Sequence, residues 1–437
     1  MLDSSSRLRL RFLCNFKISN PITAIPSHLP PMPLILSYDF IRPTSPHSKQ
    51  QLLLALQHRD RVSAISVLNW CFGRSELRCA LDNTFPMLET LSLSNASVLP
   101  DNLVVPRLRA LHLLSIAISR KSLLLTNAIN LSSLRLMFIP DKSTYLPPEY
   151  LVEHLASMPH LENISIESFP SSSRSENVGE SPHPQITRVE LPSLSRLIYT
   201  GISPYLDNLL SRISAPYLQY ISLSALSREN PDLVRLSAFL GTVQNGSFDL
   251  RATVVKFYSH SVTIVYHHER PSVSLPYLHI SINYSGQECA VTSVAQICNS
   301  VAHALFSVVE SLEIQLSTDY KRYILDSGLF AQRAQWHAFL RLFGGVKILV
   351  VDEDLAEKLS DVMHPNNGAE ELLPIVSELA VTMLRNDVVH HYFSSFIHAR
   401  HLSGYSIDLQ FIRDHHTYPC KPGISWSFDT FDDYRTA

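Results

Sequence analysis

The sequence predicts an α/β solenoid, in which short parallel strands stack side by side while helices and loops return the chain behind them. Three observations carry this. Leucine supplies 64 of the 437 residues. The spacing L-x-x-L-x-L recurs along most of the chain. Glycine is scarce at 12 residues, whereas an average share of about 7% would give more than twice as many. Glycine-rich phosphate loops and collagen-like repeats are therefore not expected.

The spacing has a direct physical meaning. Its last two apolar positions alternate with polar ones, as in a strand with one buried face. The first anchor packs from the preceding turn. One unit cannot cover its own apolar face, so neighbours must stack on it.

Taken in chain order, residues 21–48 are Pro-rich and read as an extended, weakly ordered lead-in. Within them PMPLILSYDF has the look of a strand preceding the repeats. A loose first copy follows at Val62, Ile65 and Val67. Clear copies are Leu88-Leu91-Leu93, Leu108-Leu111-Leu113, Leu131-Leu134-Leu136, Leu161-Ile164-Ile166, Leu194-Leu197-Tyr199 and Leu218-Ile221-Leu223. Looser ones are anchored at Leu275, Val309, Val346 and Val376. These eleven anchors lie 20 to 57 residues apart, about 31 on average. Leucine-rich repeats usually run 20–29 residues, so this array is long in period and irregular. The 57-residue gap between Leu218 and Leu275 has room for two units. It holds two strand-like stretches, 253–258 and 262–266, which either continue the array or form a hairpin-like insert.

The connections carry helical spacing. Ser203 followed by Pro204 predicts a helix start, with Ser203 as N-cap and Pro at the first helical position. Leu206, Leu209, Leu210 and Ile213 then recur at helical intervals. Residues 147–158 read the same way, with Pro148 and Glu149 in the first turn. Further helices are predicted over 291–308, 333–343, 355–364 and 388–400.

Three residues after the last strand leucine, many such repeats place Asn or Cys to tie down turn backbone. Here that position holds Trp70, Ala96, Ile116, Ile139, Phe169, Ile202 and Leu226. It turns polar at Asn283, Ser317 and Asp354, then returns to Leu384. The first half is expected to close its turns by packing, with the turn backbone finding partners elsewhere. The change near residue 230 divides the expected array. Residues 1–48 are the lead-in, 49–230 a first sub-array, 231–402 a second and more irregular one, and 403–437 a polar tail expected to fray. Residues 170–184 read as an exposed loop. The fold class is thus α/β: a leucine-rich-repeat-like solenoid, with parallel strands on the concave face and helices and loops on the convex face.

Composition excludes several functions. A net charge of -3 and a pI near 6.7 lack the basic stripe of a nucleic-acid binder. No apolar run approaches the 18 residues of a membrane span, and no secretion signal is read at the N-terminus. The six Cys form no C-x-x-C pair and read as reduced, mostly buried thiols of a cytoplasmic or nuclear protein. No phosphate-binding, nucleophile-elbow or zinc-protease motif occurs. The 20 His cluster at His267–His268–Glu269, His390–His391, His398 with His401, and His415–His416. Adjacent His on a strand point to opposite faces, and sequence places no third ligand beside His398 and His401. Catalytic residues, cofactors and metal ligands are therefore all read as none. Arg59 and Arg61 read as ends of a solvated helix.

The surface left for function is the sheet face. The residues between the strand leucines stack into a ladder that includes Ser92, His112, Arg135, Ser165, Ile198, Ser222, His279 and Glu313, with Glu167, Arg196 and Tyr220 beside it. Solenoids bind protein partners on such faces. The candidate binding set is His112, Arg135, Glu167, Arg196, Tyr220, His279 and Glu313. Tyr220, Arg196 and Arg135 lead it, because Tyr and Arg are enriched at interface hot spots. A second reading is a hydrolase or metal-dependent enzyme using the His-rich second half. It requires a His beside a Ser, Cys or carboxylate in a closed pocket.

Over roughly residues 31–400 the chain resembles the F-box proteins with irregular leucine-rich repeats of mushroom-forming fungi. The resemblance rests on LALQHRDRV (54–62), FPMLETLSL (85–93), LLTNAINLSSLRL (124–136), LPPEYLVEHLASMPHLENISI (146–166), LPSLSRLIYTGISPYLDNLLSRISAPYL (191–218), VTSVAQICNSV (291–301), VKILVVDEDL (346–355) and ELLPIVSEL (371–379). It implies the substrate-receptor subunit of a Skp–cullin–F-box ubiquitin ligase, whose repeats recruit a protein target. An F-box is an N-terminal apolar helical segment opening with a Leu-Pro pair, and residues 1–30 hold no such run. The expectation is a shortened member or a relative that has kept only the repeats. The Skp adaptor would then bind only if an F-box is supplied.

Overall fold

The computed structural model describes residues 33–39, 46–68, 74–94, 99–116, 118–119, 122–138, 146–168, 188–226, 234–240, 242–243, 251–258, 261–267, 278–283, 309–317, 333–365, 372–383 and 392–413. In chain order these form β1 (Leu34–Asp39), α1 (Pro46–Ala55), β2 (Val62–Leu68), α2 (Arg74–Leu81), β3 (Thr90–Ser94), β4 (Ala110–Leu114), α3 (Leu123–Thr126), β5 (Ser133–Phe138), α4 (Pro148–Leu155) and β6 (Asn163–Ser168). Then come β7 (Val189–Glu190), β8 (Arg196–Gly201), α5 (Ser203–Arg212), β9 (Ile213–Ser214), β10 (Tyr220–Leu226), α6 (Val234–Leu240), β11 (Ala252–Phe257), β12 (Ser261–His267) and β13 (Leu278–Asn283). The last are β14 (Ser311–Leu316), α7 (Arg333–Leu340), a 3-10 turn (Arg341–Phe343), β15 (Ile348–Asp352), α8 (Glu353–Val362), β16 (Glu378–Met383), α9 (Ser394–Leu402) and β17 (Asp408–Arg413).

Fifteen strands make one sheet, in the order β1-β2-β3-β4-β5-β6-β8-β10-β13-β12-β11-β14-β15-β16-β17, while β7 and β9 pair separately. The repeat spacing sets the register. Leu91, Leu111, Leu134, Ile164, Leu197 and Ile221 sit opposite one another on successive parallel strands, and all six are buried. The second row, Leu93 through Leu113, Leu136, Ile166 and Tyr199 to Leu223, is buried as well. The two rows face helix residues such as Leu151, Leu155, Leu206 and Leu209, which belong to the same apolar core.

The turns solve their backbone problem without an amide ladder, in two ways. Just before each strand a main-chain N–H donates to the preceding unit: Arg109 to the Glu89 carbonyl, Ser132 to Arg109, Glu162 to Ser132 and Ser195 to Glu162, all at 2.8–2.9 Å. After β8, the Tyr199 hydroxyl donates to the Ile202 carbonyl at 2.7 Å. Ile116 is buried and Ile202 half-buried against the core, so at these two positions the apolar turn residue packs. The others of the first half lie outside the described residues or have undescribed side chains. In the second half the tie is made two residues before the expected Asp354. Asp352 accepts from the Asp354 and Leu316 amides, because a β-to-α junction needs a cap at the helix start.

Several expectations shift. Helix α5 includes Ser203, with Ile202 at the N-cap; Pro204 sits at its second position, and the buried Ser203 hydroxyl has no hydrogen-bond partner. The helices expected over 333–343, 355–364 and 388–400 correspond to α7 with its 3-10 turn, to α8 (Glu353–Val362) and to α9 (Ser394–Leu402), with residues 388–391 outside the described residues. Residues 291–308 lie outside the described residues. The expected lead-in contains β1 and the start of α1, and the expected fraying tail contains β17. Both strands are edges whose backbone pairs with one neighbour. Cys79 is exposed, and the other five Cys lie outside the described residues, so the expectation of mostly buried thiols is not tested. Arg59 and Arg61 fall after α1, in the turn that enters β2, where Arg59 donates to the Asn83 side chain.

The 57-residue gap holds the largest departure. The sheet runs unbroken past residue 230, but the order of winding reverses there. After β10 the chain skips two positions, lays down β11, and returns through β12 to β13, which pairs with β10. Strand β12 is antiparallel to both neighbours, whereas β13 runs parallel to β10 and β11 parallel to β14. The inner row continues through it as Leu278, Tyr266, Thr253 and Leu312. The meander thus fills three slots of the sheet.

Gly201 ends β8 at a crowded position. A Cβ there would stand 2.6 Å from the Tyr199 hydroxyl oxygen and 2.7 Å from the Ser168 carbonyl oxygen. Gly201→Ala is expected to displace the Tyr199 hydroxyl from Ile202 and to cost about 1–3 kcal/mol in urea unfolding. A loss below about 0.5 kcal/mol would mean the backbone shifts freely.

Candidate partner-binding face

Residues that alternate with the buried rows look out from the opposite side of the sheet. One such row takes a residue from every strand, from Ser37 through His112, Arg135, Ser222, His279 and Glu313 to Gln410. All but Ala380 keep some exposure.

The strand parity brings all seven candidate residues to this face, and adjacency groups several of them. Arg135 Nη2 stands 2.8 Å from Glu167 Oε1, with both side chains about four-fifths covered. The Arg196 guanidinium lies 4.6 Å from the centroid of the Tyr220 ring, directly opposite on β10. Ser222 Oγ is 3.1 Å from His279 Nδ1, across the β10–β13 pairing. Glu313 accepts from Gln315 Nε2 on its own strand. His112 lies opposite Arg135.

Sequence spacing did not anticipate two features. The Ser222–His279 contact joins residues far apart in the chain, and it exists because β13 folds back onto β10. Lys256 of β11 also joins the face, near the Tyr258 ring. The alternation in TVVKFY would have marked Lys256 as outward, but no spacing rule assigned that stretch a place in the sheet.

Burial alone holds the His279 imidazole below its usual range. No described carboxylate acts on it, so among the described residues Ser222–His279 has no third group to orient a catalytic imidazole. It also lies on an open sheet face. Among the described residues no three His, Cys, Asp or Glu side chains could hold a metal ion. His267 is buried on β12, His398 and His401 are exposed on α9, and the remaining clustered His lie outside the described residues. Among these residues no helix is long and apolar enough to cross a membrane.

The depressed His279 pKa has a consequence for stability. The unfolded imidazole binds its proton near pH 6.5, the folded one only at lower pH, so the unfolded state takes up more protons in between. Stability is full above about pH 6.5 and falls as the pH drops toward the folded value. His154, whose pKa is also lowered by burial and partly restored by Glu153, adds to the same slope. His279→Gln is expected to flatten the dependence below about pH 6.5 without abolishing it. An unchanged slope in urea midpoints would show that the imidazole is already solvated.

No family model matches the chain, and no curated protein does. Solved structures to which it is similar include the following two. One is the crystal structure of a TLR13–ssRNA13 complex, 12% identical with a TM-score of 0.33, matching 91% of this chain and 48% of that one. The other is the leucine-rich repeat-containing protein LegL7 from Legionella pneumophila, 15% identical with a TM-score of 0.28, matching 85% of this chain and 98% of that one. The chain therefore spans about half the length of the TLR13 chain it matches. The parallel-dominated sheet, its buried repeat rows and its helices define an α/β leucine-rich-repeat-like solenoid.

Proposed function

We propose that the protein is a non-enzymatic scaffold that holds a protein partner on the open sheet face. The observation that carries this is the row of outward side chains along the sheet, with Arg, Tyr, His and Glu clustered in its middle strands. A long, gently varied row of outward side chains suits an extended macromolecular ligand better than a small molecule. The charges on the face have mixed sign, which favours protein over nucleic acid. Cytoplasm or nucleus is the compartment that the thiol content favours.

The finer reading is a target receptor for a Skp–cullin–F-box ubiquitin ligase, supported by the sequence resemblance. In that reading the repeats select the target and an F-box couples it to the adaptor. Two measurements test the proposal. Partners captured by the full chain should be lost with Ser165→Arg on the open face and kept with Glu357→Lys on α8; equal effects of the two would sink the binding-face reading. Fused behind an F-box, the chain should co-precipitate the Skp adaptor and a captured partner together. An adaptor that comes down without the partner would sink the ligase reading only.

A further inference from the structure

We infer that Arg196 is an anion-reading subsite of this face, and that the partner places there a single Asp or Glu carboxylate from an extended segment. The inference rests on the reading of the open face as the partner surface. Arg196 opens β8, and its guanidinium is stacked on Tyr220 of β10. Its Nε is buried without a hydrogen-bond partner, while neither Nη is among the buried unpartnered atoms. Among the described residues the guanidinium has no carboxylate within ion-pair reach. The residue opposite it on the other side is Asn163 of β6, which is uncharged.

Four other arginines are differently placed. Arg135 is satisfied by Glu167, Arg212 lies 3.5 Å from Glu149, and Arg333 pairs with Asp361 at 3.0 Å. Arg400 donates to the Leu372 and Leu373 carbonyls. Arg196 alone among these is held in one orientation by an aromatic ring with its charge unanswered. Such a fork is preorganised for a planar carboxylate, because stacking removes much of the rotamer freedom that binding would otherwise freeze.

Charge balance selects the ligand. One guanidinium matches one monoanion. A phosphate dianion calls for a second cation, and Arg135 is already engaged by Glu167. Glu313, Glu378 and Asp408 lie farther along the same side of the sheet and would repel a polyanion such as RNA.

The test is selection of random twelve-residue peptides displayed on phage against the full chain, followed by fluorescence-polarisation titration of the enriched sequences. The expected result is Asp or Glu fixed at one position, with replacement by Asn or Gln weakening binding tenfold or more. Arg196→Glu should redirect selection toward Lys or Arg at that position, and Arg196→Lys should retain part of the affinity. Tyr220→Leu, which removes the stacking ring, should weaken acidic peptides more than neutral ones. Thermal unfolding confirms that each variant is folded. Enrichment without an acidic position, or no enrichment, overturns the subsite. Tighter binding of a phosphoserine at that position overturns the carboxylate in favour of a phosphopeptide. Peptides that ignore Arg196→Glu but are lost with Ser165→Arg overturn the subsite and leave the partner face standing; peptides that ignore both overturn both.

Discussion

Leu134→Asp is expected to cost about 4 kcal/mol or more and to unfold the repeats around β5. Leu134 is buried between Leu111 and Ile164. Truncating a buried leucine alone costs about 2–5 kcal/mol. The new carboxylate would then sit among aliphatic side chains with no partner, so it would take up a proton and its pKa would rise. The loss should therefore shrink at acidic pH. The control is one residue away. Ser133 is half-buried on the outward side of the same strand, so Ser133→Asp is expected to stay within about 0.5 kcal/mol. Urea unfolding of the two variants measures the strand parity directly. Comparable losses would mean that β5 is misregistered and the inner row is wrong.

Trp336→Ala is the second large effect, expected at about 3–5 kcal/mol. Trp336 of α7 is buried, with its ring 5.9 Å from Phe257 of β11 and 5.8 Å from Phe339, and Phe339 meets Phe343 at 5.1 Å. These edge-on contacts fasten the reversed meander to α7. In a solenoid each unit leans on its neighbours, so damage stays regional. Amide exchange is expected to accelerate in β11–β13 while β3–β5 keep their protection. Trp336→Phe should cost less. Uniform acceleration along the sheet would mean that the array unfolds as one unit.

The residues explain which parts could be read in advance. Leu91, Leu111 and Leu134 declared their face and register through spacing alone, because side chains on a strand alternate with period two and a slip of one residue would expose every leucine. Helix α5 was legible from Pro204 and its apolar spacing, but its cap was misplaced by one residue, since Ser203 as readily sits inside the first turn. The candidate face was legible as a list of outward positions. Its chemistry was not. Nothing local distinguishes Arg135, which finds Glu167 on the next strand, from Arg196, which finds an aromatic ring. Both are an outward Arg next to a buried strand leucine, and their fates depend on residues 24 to 32 positions away.

The sequence by itself determined the two-faced repeat: which side chains are buried, which look outward, and how far apart the units fall. Each of these follows from backbone geometry acting over a few neighbouring residues. Only the tertiary structure decided the order in which strands meet. Stretches 253–258 and 262–266 look like any other strands, and the N–H and C=O groups that pair them are the same in every residue. Their reversal, with β13 returning to β10, brings Ser222 to His279 and sets three strands of the face in an order that spacing along the chain does not encode.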